Sequence, residues 1–304
     1  MSDPAGTATV SAGPRRRRLS DQETAQRMLA AAAEMIHESG LTVSLEHISI
    51  EDVIRRAEVS RTAAYRRWRY KDEFFADLLR ELARDPHPAA VGTQARYGEL
   101  GEFISGHPHW VETVEGRTRL HAHAMRLGGA VDLLLLASSQ RWRSYIALQA
   151  AVLSLDQSDF RTELQERLAA SERQIHERLA ANYAAIAALA GLRLRPDAGV
   201  NFLDVAIMCS AVMNGAALKA QSDPALITQT VGSPVDDSAE PWSIPAAACI
   251  AIQGFYLEPD PDITWDEHRI ARVKDVLRHA SDFTTTGDQS QLTTTDGIQR
   301  LLRI

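Results

Sequence analysis

Apolar positions recur along this chain with the period of a helix, not of a strand. Ala25, Met28, Leu29, Ala32 and Ile36 fall on one helical face. Ser20 and Glu23 precede them at capping-box spacing, and Gly40 is a stop signal. A second such box, Ser49 with Asp52, opens a short helix whose inner face is Ile50, Val53, Ile54 and Ala57. Ser60 is placed to cap a third helix. From Lys71, KDEFFADLLRELA reads as a fourth, with acidic residues in its first turn as the helix dipole prefers.

Residues 85–116 carry Pro, Gly and His, and a domain boundary is expected there, with a short helix possible over 97–104. Beyond it the pattern predicts helices over 117–138, 141–154, 159–190, 197–221, 243–257 and 264–281. Trp142, Tyr145, Ile146, Gln149 and Val152 mark one inner face; Leu164, Leu168, Ile175, Leu179 and Ile186 mark the next. No stretch alternates with period two over a useful length. Residues 222–241 read as a loop. Residues 1–19 read as a disordered basic arm and 283–304 as a disordered tail. The expectation is an all-α chain: a helical head over 20–84 and a helical body over 85–282.

Charge changes this picture. The chain carries a formal net charge of -7. Yet Arg61, Arg66, Arg67, Arg69 and Lys71 fall within eleven positions, and no Asp or Glu interrupts them. Residues 15–84 hold 14 Arg or Lys against 12 Asp or Glu, while 85–304 hold 19 against 27. A near-neutral head with a basic centre thus precedes an acidic body, a pattern that points to nucleic acid at one end. On a helix, Arg61, Thr62, Tyr65, Arg66 and Arg69 share one face, while Ala64 and Trp68 share another suited to packing. A short helix following another helix and a tight turn is the helix-turn-helix layout, whose second helix enters the major groove. Arg reads guanine edges there, and Tyr and Lys hold phosphate. A solvated basic face is the alternative for such a run. The run Arg15–Arg18 is either a DNA-contacting arm or a solvated segment.

Residues 23–83 resemble the DNA-binding head of the tetracycline-repressor (TetR) family. The resemblance rests on SIEDVIRRAEVSRTAAYRRWRYKDEFFADLL, residues 49–79, in which Ser49, Val59, Ser60, Ala63, Tyr65, Trp68, Lys71 and Asp72 fill the family's motif positions. Three positions depart from it: Glu58 for the turn Gly, Trp68 for Phe, and Arg69 for a small residue or Pro. Glu58 implies a turn that either does without positive φ or accepts strain. The resemblance implies base reading at or near Arg61, Thr62 and Arg66, with Ser60, Ala63, Arg67 and Arg69 around them. It implies phosphate contacts from Ser49, Tyr65 and Lys71. It further implies a homodimer on a near-palindromic, double-stranded DNA operator, and a body that binds a small-molecule effector and dimerises. Repressor is the expected role; activator or ligand-independent regulator is the alternative, and a helical interaction or enzyme module is a third.

For the body, Met125, Trp142, Tyr145, Gln149, Tyr183 and Asn214 are candidate effector-lining residues, with core packing as the alternative for each. The segment 199–220 is apolar nearly all round, so burial on more than one side is expected. Asn201, Asp204, Ser210 and Asn214 are polar residues in that setting. Cys209 and Cys249 lack zinc-type spacing and read as buried free thiols. His107 with His109, and His121 with His123, have no completing ligand cluster, so no metal is expected. No cofactor is expected, and no G-x-S-x-G, P-loop or G-x-G-x-x-G signature marks an enzyme. The first 18 residues lack an apolar signal core, and PWSIPAAACIAIQGFYL, 241–257, falls short of a membrane span. A cytoplasmic location without a membrane partner is therefore expected.

Overall fold

The computed structural model describes residues 19–39, 48–84, 106–235 and 241–278. The chain is all-α, with ten helices among these residues: α1 Asp21–Ser39, α2 Ile50–Arg56, α3 Arg61–Arg67, α4 Lys71–Leu82, α5 Val114–Ser138, α6 Gln140–Ser154, α7 Asp159–Leu189, α8 Phe202–Ser222, α9 Ile244–Tyr256 and α10 Glu267–Arg278. Two antiparallel ribbons, too short to show a period-two pattern, join β1 Leu192–Leu194 to β4 Leu257–Pro259 and β2 Thr230–Val231 to β3 Trp242–Ser243. The strand β2 and a short 3₁₀ turn, Pro224–Ile227, lie within the stretch expected to be a plain loop. The expected stop at Gly40, the helix over 97–104, the basic arm and the tail lie outside the described residues.

Side-chain caps fix where most helices start. Ser20 and Glu23 form the reciprocal box at the head of α1, at 3.1 and 2.8 Å. Ser49 caps α2 through the Asp52 N–H, but the Asp52 carboxylate turns to Arg55 at 2.6 Å, so the second box closes on one side only. Thr113, Ser139, Ser158 and Ser243 accept from the first turns of α5, α6, α7 and α9. Asn201 and Asp204 form a full box at α8. That box corrects the expected start at 197, because Pro196–Ala198 is a separate 3₁₀ turn ended by left-handed Gly199. Each cap satisfies N–H groups that have no partner within the helix.

The head and part of the body share one apolar core. Met28, Ala32, Ile36, Val53, Ala64, Trp68, Phe74 and Leu78 pack continuously with Tyr145, Leu148, Val152, Leu164 and Leu168 from α6 and α7. Trp68 is almost fully buried at the end of α3. Its ring meets Phe74 edge-on at 5.1 Å, and its N–H donates to Asp77 at 2.9 Å. These contacts are to α4, and the same core holds Met28, Ala32 and Ile36 of α1. Arg80 of α4 holds Glu163 of α7 with bonds of 2.9 and 3.0 Å and lies over the Phe160 ring.

In the rest of the body, α5, α8 and α9 pack on one another, and α8 also lies along α7. Gly191, at φ +67, ends α7 where an added Cβ would come within 2.7 Å of the Trp265 ring. On the facing side, Arg117 stacks on Trp265 at 3.8 Å and donates to the Ala190 carbonyl. By length and composition alone, α8 could cross a membrane, with a mean hydropathy of 1.4.

Removing the indole of Trp68 takes out both its apolar volume and its bond to Asp77. Trp68→Ala is expected to cost about 3–5 kcal/mol. Urea unfolding followed by circular dichroism checks this.

Candidate nucleic-acid interface

Three local features place α3 on the surface. Ser60, in extended conformation, accepts from the Ala63 N–H at 3.2 Å and starts the helix. Ala64 and Trp68 bury its inner side. The turn before it is made by Glu58 at φ +54, the one non-glycine residue with positive φ among the described residues. The turn therefore keeps the left-handed geometry that Gly would adopt freely, and Glu58 carries the strain.

The outer side of α3 is exposed. Arg61, Thr62, Tyr65, Arg66 and Arg67 point to solvent, as do Arg69 and Tyr70 beyond its end and Lys71 at the start of α4. Ala63 and Ser49 are half-buried at its edges. An open concavity of about 850 Å³ runs between α2 and α3, lined by Arg55, Glu58, Ser60, Arg61, Thr62 and Arg66 among others.

The face is not purely basic in space. Carboxylates absent from the local sequence come from other helices. Glu51 of α2 accepts from Arg61 at 2.8 Å and from the Tyr65 hydroxyl at 3.0 Å. The bond from Arg61, with that from Tyr65, lowers the pKa of Glu51, and the bond to Glu51 raises that of Tyr65. Asp21 of α1 pairs with Arg66, and Asp77 of α4 with Arg67 at 3.0 Å. Arg67 also lies over the Trp68 ring, Arg69 over Tyr70 and Lys71 over Phe75. Exposed pairs of this kind are weak because solvent screens them, so a stronger anion can exchange for them. Their effect is to tie Arg61 and Tyr65 to α2 and Arg66 to α1. The sequence reading missed Glu51, Asp21 and Asp77 because they lie 10 to 45 positions away from their partners.

The six candidate effector residues do not converge. Trp142 donates to Asn214 at 2.9 Å, and Asn214 in turn to Ser210 at 3.2 Å, in one cluster. Tyr145 and Gln149 both bond Glu172, beside the shared core. Met125 and Tyr183 belong to a third cluster around Trp242. Asn201 and Asp204 are spent on capping α8. Of the histidines, His107 and His123 both lie against Trp110. His121 is fully buried with its Nε2 unpaired, and burial lowers its pKa to about 4, so it is neutral. No group of three or more His, Cys, Asp or Glu side chains among the described residues is placed to hold a metal ion.

Replacing Glu58 by Gly releases the left-handed strain, worth roughly 1–2 kcal/mol, against about 0.4–1 kcal/mol of extra unfolded-chain entropy. Glu58→Gly is therefore expected to raise the urea midpoint, with an unchanged slope. A lowered midpoint would mean that the Glu58 side chain contributes more than its backbone costs.

No family model matches this chain, and no curated protein does. Among solved structures, the crystal structure of the reduced form of NemR from E. coli aligns with 79% of this chain and 100% of its own, at 14% identity and a TM-score of 0.38. A likeness of that size carries no argument about fold or function.

Proposed function

We propose that this protein is a DNA-binding transcriptional regulator, with residues 20–84 as its DNA-binding head and 85–282 as its regulatory body. The observation that carries this reading is the outer face of α3. Arg61, Thr62, Tyr65, Arg66 and Arg67 stand exposed on a two-turn helix that Ser60 caps and Trp68 anchors, and Arg69 just beyond it. A short exposed helix mounted on a packed helix pair is the element that enters the major groove in helix-turn-helix proteins. In this reading Arg61 and Arg66 read base edges, with Thr62 beside them. Tyr65, Lys71 and Ser49 hold phosphates, with Arg67 and Arg69 adding charge. The motif resemblance to the TetR family supports the same roles, and with them a ligand-responsive repressor.

Homodimer formation follows from symmetry, since two heads reading a near-palindromic operator require a two-fold axis. The surface that supports it is the outer side of α8 and α9. Only 22% of the most apolar stretch of α8 is buried. Ile207 and Leu218 are exposed on α8, Ile244 and Phe255 on α9, each pair eleven positions apart. That spacing is about three helical turns, so each pair lies along one side of its helix. A second copy of the chain covers these residues in the proposed dimer. The shared core from α1 and α4 into α6 and α7 gives an effector in the body a mechanical route to the heads. The effector must bind one head spacing better than the other, since equal affinity would shift nothing.

Two measurements test the reading. Against an operator selected from random DNA, Arg61→Ala is expected to lose about 1–3 kcal/mol on that operator and little on scrambled DNA. Lys71→Ala is expected to weaken both and to reduce the salt slope by about one unit. Folded variants that bind like the parent would favour an acidic protein partner instead. The double variant Ile207→Asp, Leu218→Asp is expected to sediment as a monomer while the parent sediments as a dimer. A variant that remains dimeric would move the interface elsewhere.

A further inference from the structure

Cys209 sits on the inner side of α8 and Cys249 on the inner side of α9, both free and buried. Each sulfur approaches the other residue's backbone carbonyl, Cys209 Sγ at 3.9 Å and Cys249 Sγ at 3.7 Å. This reciprocity places both sulfurs at one crossing of α8 and α9, and a disulfide forms only between residues that face each other across a short gap. Gln253, one turn beyond Cys249, is almost fully buried and directs its Nε2 onto Cys209 Sγ at 3.9 Å and Met125 Sδ at 3.1 Å. Val205, Leu194, Val212 and Ile252 pack around the two thiols. Packing alone calls for no amide aimed at a sulfur, and no second thiol facing the first.

We propose that Cys209 and Cys249 are a redox-active dithiol, which small peroxide-class oxidants convert reversibly into an intramolecular disulfide tying α8 to α9. Cys209 is the first sulfur to react. Hydrogen bonds from Cys249, Gln253 and Tyr183 favour its thiolate, while Cys249 is held protonated by its bond to Cys209 and by burial. The Cys209 thiolate attacks one oxygen of the peroxide. The O–O bond breaks, hydroxide leaves and takes up a proton as water, and Cys209 becomes a sulfenic acid. The Cys249 sulfur then attacks the Cys209 sulfur. The S–S bond forms, the S–O bond breaks, and the hydroxyl departs as water with the Cys249 proton. Two thiols lose two electrons and two hydrogens, and one peroxide becomes two waters. Because the pair is enclosed, bulky disulfides such as oxidised glutathione are excluded, which restricts the oxidant to one of peroxide size.

The experiment treats the reduced full-length protein with hydrogen peroxide or with oxidised glutathione, then alkylates remaining thiols under denaturing conditions and maps the peptides. Peroxide is expected to give a Cys209–Cys249 crosslink within one chain, with loss of two hydrogens from the intact mass, and dithiothreitol to reverse it. Oxidised glutathione is expected to react at least ten-fold more slowly. Cys249→Ser is expected to stop at a sulfenic acid on Cys209, trapped by dimedone, and Cys209→Ser to leave Cys249 unmodified. Full alkylation of both thiols after peroxide, when the urea-unfolded chain does crosslink, would overturn the proposal. So would a crosslink between chains, equal rates with the two oxidants, or trapping on Cys249 alone. None of these readouts involves DNA, so the dithiol stands or fails apart from the DNA-binding reading.

Discussion

One continuous apolar core joins α1, α2, α3 and α4 to α6 and α7. Small helical heads bury little surface, and a unit of three or four short helices is marginal by itself. Here α2 and α3 span seven residues each, too short for stable isolated helices. They are held because Val53, Ile54, Ala64 and Trp68 pack into a core that continues through Phe74 and Leu78 to Leu148 and Leu164. The exposed face of α3, the angle of α4 and the Arg80–Glu163 bond all depend on that packing. The same continuity means that displacing α6 or α7 also displaces the floor under α1 and α4.

Much of the fold was legible because caps and period are local. Ser20 with Glu23, Ser49 and Ser60 announced the head helices, and spacing alone found Trp142, Tyr145 and Val152 on the inner face of α6 but not Leu148. Helix starts in the body were less legible. Thr113, Ser139 and Asn201 look like any other polar residue until the chain before them is seen to be extended. The outer face of α3 was read correctly as a set of positions and incompletely as a field. Arg66 meets Asp21 only because α1 packs across α3, and no window of sequence contains both. The effector candidates failed to converge for the opposite reason: helical spacing places each residue on an inner face, but not on the same inner face. Glu58 shows the limit of residue preference, because the turn kept its backbone geometry without the residue that geometry favours.

Helix α8 shows how composition and environment part company. Its length and hydropathy satisfy the test for a membrane span, and its sequence is apolar nearly all round. In the fold, one side meets α5, α7 and α9, and Asn201, Ser210 and Asn214 find partners along it. The other side is left open by the single chain, with Ile207 and Leu218 exposed on it. Composition gives the affinity of a helix for dry surroundings, and only the pattern of polar partners says what those surroundings are.

The carboxylates that face α3 have a kinetic consequence. Glu51, Asp21 and Asp77 cancel much of the positive field within a few ångströms of its source, and the whole chain repels polyanions at long range. Screening at physiological salt, about 8 Å, removes most of what remains at a distance. An acidic partner would thus be drawn in little by steering and would meet the guanidinium groups only on contact, where each must leave one carboxylate for another anion. Capture would be slow for a cationic surface, and lifetimes, not encounter rates, would separate a matched partner from a mismatched one.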